Sequence, residues 1–224
     1  MEPRLPAAVR AAAGDRRGGA LEVAATAVDG LLEVADDPSL LEAAVAALLA
    51  GQPAMAPIWH LANAARAPDP PSALADLRHH LVTNADAAVA TAATWLLARH
   101  ATTPDAVATV SHSSLVDRVL ASLAPVPTAP APTAPSVGVV GADAVGPEAL
   151  LNAVGTLELA TRLPTLVVAT AVKLVPAEVF GRLGGPGFEA VPLAAVSAVV
   201  VGPEVLSPAE AGRRARDLAS GPPG

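Results

Sequence analysis

Three stretches of the chain bring polar side chains out of the ends of apolar runs. Ser111-His112-Ser113-Ser114 follows V-A-T-V and opens the helical pattern L-V-D-R-V-L; Gly141-Ala142-Asp143 follows V-G-V-V; Lys173 follows T-L-V-V-A-T-A-V. Free amides and hydroxyls at a helix start suit an anion, phosphate above all. A carboxylate passes protons between neighbouring atoms, and a lysine adds a compact positive charge. Converging on one sheet edge, these are the pieces of a phosphosugar site. An ordinary serine N-cap explains Ser113 and Ser114 as well, and His112 suits either acid–base work near neutral pH or a structural hydrogen bond in a loop. Lys173 stands out by count, the only lysine beside 13 arginines. His79 and His80 are adjacent, whereas a metal on a helix wants ligands three or four apart, so no metal is expected. Trp59 and His60 read as packing or as a contact between the two halves of the chain.

Two kinds of element must position these groups. From Ala20 to His100 apolar residues recur at helical spacing, with Leu21, Ala24, Ala25, Val28, Leu31 and Leu32 on one stripe and Leu41, Val45, Leu48 and Leu49 on another. Breaks at Asp36-Asp37-Pro38, Gly51-Gln52-Pro53 and Pro68-Asp69-Pro70-Pro71 divide the later part into helices expected at 39–50, 54–66, 72–82 and 84–99. After Thr103-Pro104 short β-branched runs alternate with helical ones. Strands are expected at Ala106–Val110, Val137–Val140, Thr165–Ala169 and Ala195–Val201, and helices near 113–123, 147–161 and 208–219. Continuous apolar strands separated by helices predict a parallel sheet covered on both faces. The fold class is therefore α/β: an N-terminal helical bundle over residues 1–103, then a sheet domain over 104–224. A Pro/Ala-rich linker at 124–136 interrupts the second; its Ala124–Pro135 stretch carries five prolines in twelve residues. Such a run is excluded from helix interiors and sheet centres, and as polyproline II spans about 37 Å.

Composition removes several functions. Of 224 residues 52% are hydrophobic and 16% charged, which excludes a wholly disordered chain. The net charge is −7 and only Arg213, Arg214 and Arg216 cluster, so no nucleic-acid face is expected. No uninterrupted apolar run approaches about 18 residues, and no membrane span is expected. With no cysteine there is no thiolate nucleophile, zinc-thiolate site or disulfide, and the absence of a long apolar leader predicts a cytoplasmic protein.

The order of G-D-R-R-G-G-A (14–20), Q-P-A-M-A-P-I-W-H-L-A-N (52–63), V-A-T-V-S-H-S-S-L-V-D-R-V-L (107–120), V-G-A-D-A-V (140–145), N-A-V-G-T-L-E-L-A (152–160) and A-T-A-V-K (169–173) resembles a known family. It is that of the translation initiation factor 2B alpha, beta and delta regulatory subunits, methylthioribose-1-phosphate isomerase and ribose-1,5-bisphosphate isomerase. The resemblance runs from about residue 14 to about 210. It implies a helical domain on a Rossmann-like domain, commonly dimerised through the latter. It also implies ligand contacts at Arg17, Gly19, His112, Ser113, Ser114, Asn152, Gly155, Thr156 and Lys173, the family's aspartate at Asp143, and no cofactor.

Four departures matter. The family's catalytic cysteine falls on Ser111, whose hydroxyl supplies no resting anion without a base. Its lysine in N-K-x-G-T is Ala153, its arginine in R-P-T is Gln52, and the stretch of about two strands before G-A-D is replaced by the proline linker. The resemblance with these departures implies a shortened, non-catalytic initiation factor 2B-like protein for binding or assembly. Such a protein would retain a sugar-phosphate or nucleoside-monophosphate site and would pair with a second copy or a family-related subunit. The second reading is an aldose–ketose isomerase of a phosphorylated pentose that uses Asp143.

Overall fold

The computed structural model describes residues 4–100, 104–110, 113–123 and 134–218. Five helices come first: α1 (Ala7–Gly14), α2 (Ala20–Leu32), α3 (Pro38–Gly51), α4 (Ala56–Ala64) and α5 (Pro70–His100). Caps explain their starts. Asp37 Oδ1 accepts the amides of Ser39 and Leu40 at 3.1 Å each, with Pro38 in the first turn of α3. Asp69 Oδ1 accepts the Ser72 amide at 3.2 Å at the start of α5. The apolar stripes bury Val23, Ala27 and Leu31 of α2 against Leu41, Val45 and Leu48 of α3 and against Val9 and Ala12 of α1. Each buried leucine contributes about 2 kcal/mol.

Two helical expectations need correcting. The stretches 72–82 and 84–99 form one helix, because Val82-Thr83-Asn84 contains neither glycine nor proline and Thr83 turns its hydroxyl back onto the His79 carbonyl at 3.1 Å. The merged α5 is the one helix among the described residues long and apolar enough to cross a membrane. It packs instead on both halves of the molecule: Leu74 and Leu81 lie in the helical core, while Ala85, Ala88, Ala92 and Leu96 lie against the sheet. The helix α1, which carries only one side chain larger than alanine on its buried face, is an addition.

The second half holds β1 (Val107–Ala108), α6 (Ser114–Ser122), β2 (Val137–Val140), β3 (Ala144–Val145), β4 (Ala149–Ala153), α7 (Thr156–Arg162), β5 (Thr165–Ala169), α8 (Ala177–Phe180), β6 (Phe188–Pro192), β7 (Ala198–Val201), β8 (Glu204–Leu206) and α9 (Pro208–Asp217). The main sheet has the order β1-β2-β5-β7-β8; the first four strands are parallel and β8 pairs antiparallel with β7. A second, antiparallel sheet runs β3-β4-β6. The helix expected at 147–161 is half strand: Leu150 and Leu151 pair with Val191 and Ala190 across the small sheet, and Gly155 at φ 100° turns the chain into the shorter α7. Expected strands 106–110 and 195–201 contract to β1 and β7, each preceded by a 3-10 turn. Most of linker 124–136 lies outside the described residues.

Helices cover both faces of the main sheet. Val137, Val139, Leu166, Val168, Ala198 and Val200 point toward α5 and α6. Val140, Val167, Ala169, Val199 and Val201 point toward α7 and α9. The chain steps in one direction from β1 to β2 to β5 to β7, yet the covering helix changes face between the first step and the second. The β1–α6–β2 connection therefore has the opposite hand to β2–α7–β5. In doubly wound sheets such a change of face accompanies a reversal of strand order, and there the strand ends part to leave a crevice.

Candidate functional site

A small cleft of about 60 Å³, open to solvent on one side, lies at the carboxyl ends of β1, β2 and β5, where the covering helices change face. Its walls include Gly19, Ser113, Ser114, Gly141, Asp143, Asn152 and Lys173. Six of the sequence-predicted residues thus meet in one place, from five separate segments. Gly141 is required by close approach: a Cβ there would lie 2.6 Å from Ser113 Oγ. Ser113 occupies the N-cap of α6, but its side chain makes no capping hydrogen bond, so the hydroxyl is left for the cleft. Across from it the start of α2 closes in, with the Cβ position of Gly19 3.6 Å from Ser114 Oγ.

Asp143 lies three residues past the end of β2 and directly before β3. Its amide donates to the Leu151 carbonyl at 2.9 Å and its carbonyl accepts the Ala56 amide of α4 at 3.3 Å. Lys173 ends the 3-10 turn Ala171–Lys173 after β5 and is only 4% exposed. The next two residues are both held: His60 Nε2 on α4 donates to the Leu174 carbonyl at 2.8 Å, and the Val175 amide donates to the Val145 carbonyl at 2.9 Å. The helical half thus holds both charged groups of the cleft in place.

Burial dominates the electrostatics. It pushes the Asp143 carboxyl above the usual range, with the Lys173 charge opposing. It brings the Lys173 amine down to about 8, with the Asp143 charge opposing. No direct ion pair joins the two, so the amine is not locked against the carboxylate. Burial likewise lowers the pKa of His60, against the hydrogen bond to Leu174.

The remaining candidates divide. Asn152 is aligned by Thr156, whose hydroxyl accepts from Asn152 Nδ2 at 3.0 Å and donates to the Ala153 carbonyl at 2.7 Å. Thr156 and Gly155 act from behind the wall rather than lining it. Arg17 is exposed and off the cleft; its amide, like that of Gly18, donates to Asp15 Oδ1 at 2.8 Å. Ser111 and His112 lie outside the described residues. Gln52, at the position of the resembled arginine, donates through Nε2 to the Ala12 and Asp15 carbonyls at 2.7 Å each, pinning the loop that carries Gly19. Sequence reasoning names Gly141 only as part of G-A-D and Gln52 only as a departure from arginine; the close approach of one and the anchoring role of the other leave no local trace. Among the described residues no three His, Asp or Glu side chains gather to hold a metal.

No family model and no curated protein sequence matches the chain. Solved structures do, and they define its fold as that of the initiation factor 2B subunits and methylthioribose-1-phosphate isomerase. Translation initiation factor eIF-2B of Pyrococcus horikoshii OT3 superposes with a TM-score of 0.69 at 17% identity, over 90% of this chain and 96% of that one. A chain of the tetrameric eIF2B-beta2-delta2 complex of C. thermophilum gives 0.68 at 15%, over 93% and 92%. The 5-methylthioribose 1-phosphate isomerase of P. horikoshii OT3 gives 0.56 at 13%, over 92% and 85%.

Proposed function

We propose that the protein is an initiation factor 2B-like binding or assembly module whose cleft takes a small phosphorylated ligand, a sugar phosphate or nucleoside monophosphate. The observation that carries this is the joint placement of Ser113, Ser114, Asp143 and Lys173 around one cleft at the strand ends. The α6 amides and serine hydroxyls suit the phosphate, and Asn152 and Asp143 suit sugar hydroxyls. The case against turnover is Ser111 where the resembled isomerases have cysteine, together with Ala153 and Gln52 where they have cations. Assembly follows from likeness to a subunit of a tetrameric complex: we take the protein to be cytoplasmic and to associate with a second copy or a related subunit. Phosphorus NMR with ribose 5-phosphate, ribose 1,5-bisphosphate and adenosine monophosphate tests the ligand. Line broadening by at least one, reduced in Ser113→Ala, is expected; none at millimolar ligand refutes the site.

One observation favours the isomerase reading: Asp143 lines the cleft with its carboxyl pKa raised toward the range of a general acid–base. Turnover of ribose 1,5-bisphosphate or methylthioribose 1-phosphate, abolished in Asp143→Asn, would establish it, and absence of turnover leaves binding alone.

A further inference from the structure

We propose that Lys173 captures carbonyl compounds covalently, its amine forming a reversible imine with the open-chain aldehyde or ketone of a phosphorylated sugar seated in the cleft. This rests on the cleft being a phosphorylated-ligand site and adds a bond to it. Two observations on the structure and one on the sequence carry it. Lys173 lines the cleft, yet is 4% exposed, so its amine meets a ligand in a desolvated place. Asp143 lines the same cleft without forming an ion pair with it, which leaves the nitrogen available. The chain also uses arginine for every other basic position, 13 in all. A guanidinium would have served a phosphate equally well, but it neither sheds a proton nor forms an imine.

The step balances without a co-reactant. The Lys173 Nζ lone pair attacks the carbonyl carbon, and the carbonyl π electrons move to oxygen, which takes the proton of the Asp143 carboxyl. The new ammonium returns a proton to the Asp143 carboxylate, giving a carbinolamine. Asp143 then protonates the hydroxyl; the C–O bond breaks, water leaves, the nitrogen lone pair closes the C=N bond, and the N–H proton of the resulting iminium returns to the Asp143 carboxylate. Carbonyl and amine become imine and water, and nothing is oxidised or reduced. Burial favours the reactive states of both groups, lowering the pKa of the amine to about 8 and raising that of the carboxyl.

The experiment is reductive trapping: the full chain with ribose 5-phosphate and sodium cyanoborohydride, followed by peptide mass mapping, beside phosphorus NMR of the same mixture without reductant. An adduct at residue 173 is expected, absent in Lys173→Arg, slower with unphosphorylated ribose, and slowed about a hundredfold in Asp143→Asn, which keeps the lysine. Broadened phosphorus lines without a residue-173 adduct overturn the imine and leave the binding site standing. An adduct formed equally fast with ribose, or in Asp143→Asn, also overturns it. Unbroadened lines without an adduct overturn the site and the imine together.

Discussion

At the scale of residues, a lone lysine and a G-A-D tripeptide were legible because each breaks its surroundings: one cation type among another, one carboxylate straight off an apolar strand. What Asp143 and Lys173 do to one another was not legible, since burial sets it and burial depends on α4 closing over them. The consequence for stability is specific. Lys173 has a folded pKa of about 8 against an ordinary 10.5, so between those values the unfolded chain binds more protons than the folded one, and stability rises with pH. The shift corresponds to up to about 3 kcal/mol across that window, with no pH dependence from this group below pH 8. The chain has no cysteine and no tyrosine, so no other side chain titrates there. Denaturant unfolding at pH 7, 8, 9 and 10 is expected to show the rise in the wild type and a flat profile in Lys173→Met. A flat wild-type profile would mean that the amine is not desolvated.

At the scale of elements, period decided what could be read. Helices with buried stripes, such as α2 and α3, and continuous β-branched strands, such as β2 and β5, declare themselves. Leu150 to Leu159 reads as helical because the partner that makes β4 a strand, β6, lies about forty residues on and leaves no local trace. The join between Lys173 and the helical half is likewise non-local: His60 on α4 reaches the Leu174 carbonyl across 114 positions of sequence. Because burial lowers the pKa of His60, the protein holds the imidazole neutral. The contribution is complete above the ordinary value near 6.5 and is lost as pH falls below it toward the lower folded value. His60→Ala leaves a buried carbonyl unpaired and removes packing, at a cost of about 2 kcal/mol. It also frees the 3-10 turn, so the Lys173 amine gains water and its pKa moves up toward 10.5. After isotopic reductive methylation, the single lysine signal reads that shift directly by NMR. An unchanged titration in His60→Ala would show that the turn holds its position without α4.

At the scale of the whole molecule, two features bear on each other. The change of covering face between β1–α6–β2 and β2–α7–β5, without reversal of strand order, is what a doubly wound sheet would leave if strands beyond β1 were removed and the ends rejoined. It also leaves the α6 face thinly covered by its own domain, and α5 supplies the rest: Ala85, Ala88, Ala92 and Leu96 pack with Leu115, Val116 and Val119 of α6 and with Val139, Leu166, Val168 and Val200 of the sheet. The same helix runs back to Leu74 and Leu81 in the helical core. A boundary drawn at residue 103 therefore severs the sheet from one of the two helices that cover this face. We expect the molecule to unfold in one transition. Leu31→Ala, far from the sheet, should lower stability by about 3 kcal/mol. It should move the fluorescence of Trp95, which packs on the sheet side beneath the Arg99 guanidinium, as much as that of Trp59 on α4. Single-tryptophan variants, Trp59→Phe and Trp95→Phe, separate the two signals. A Leu31→Ala protein in which the Trp59 transition shifts while the Trp95 transition stays would show two independent domains, and residues 104–218 should then fold alone; coincident shifts make α5 the element that couples them.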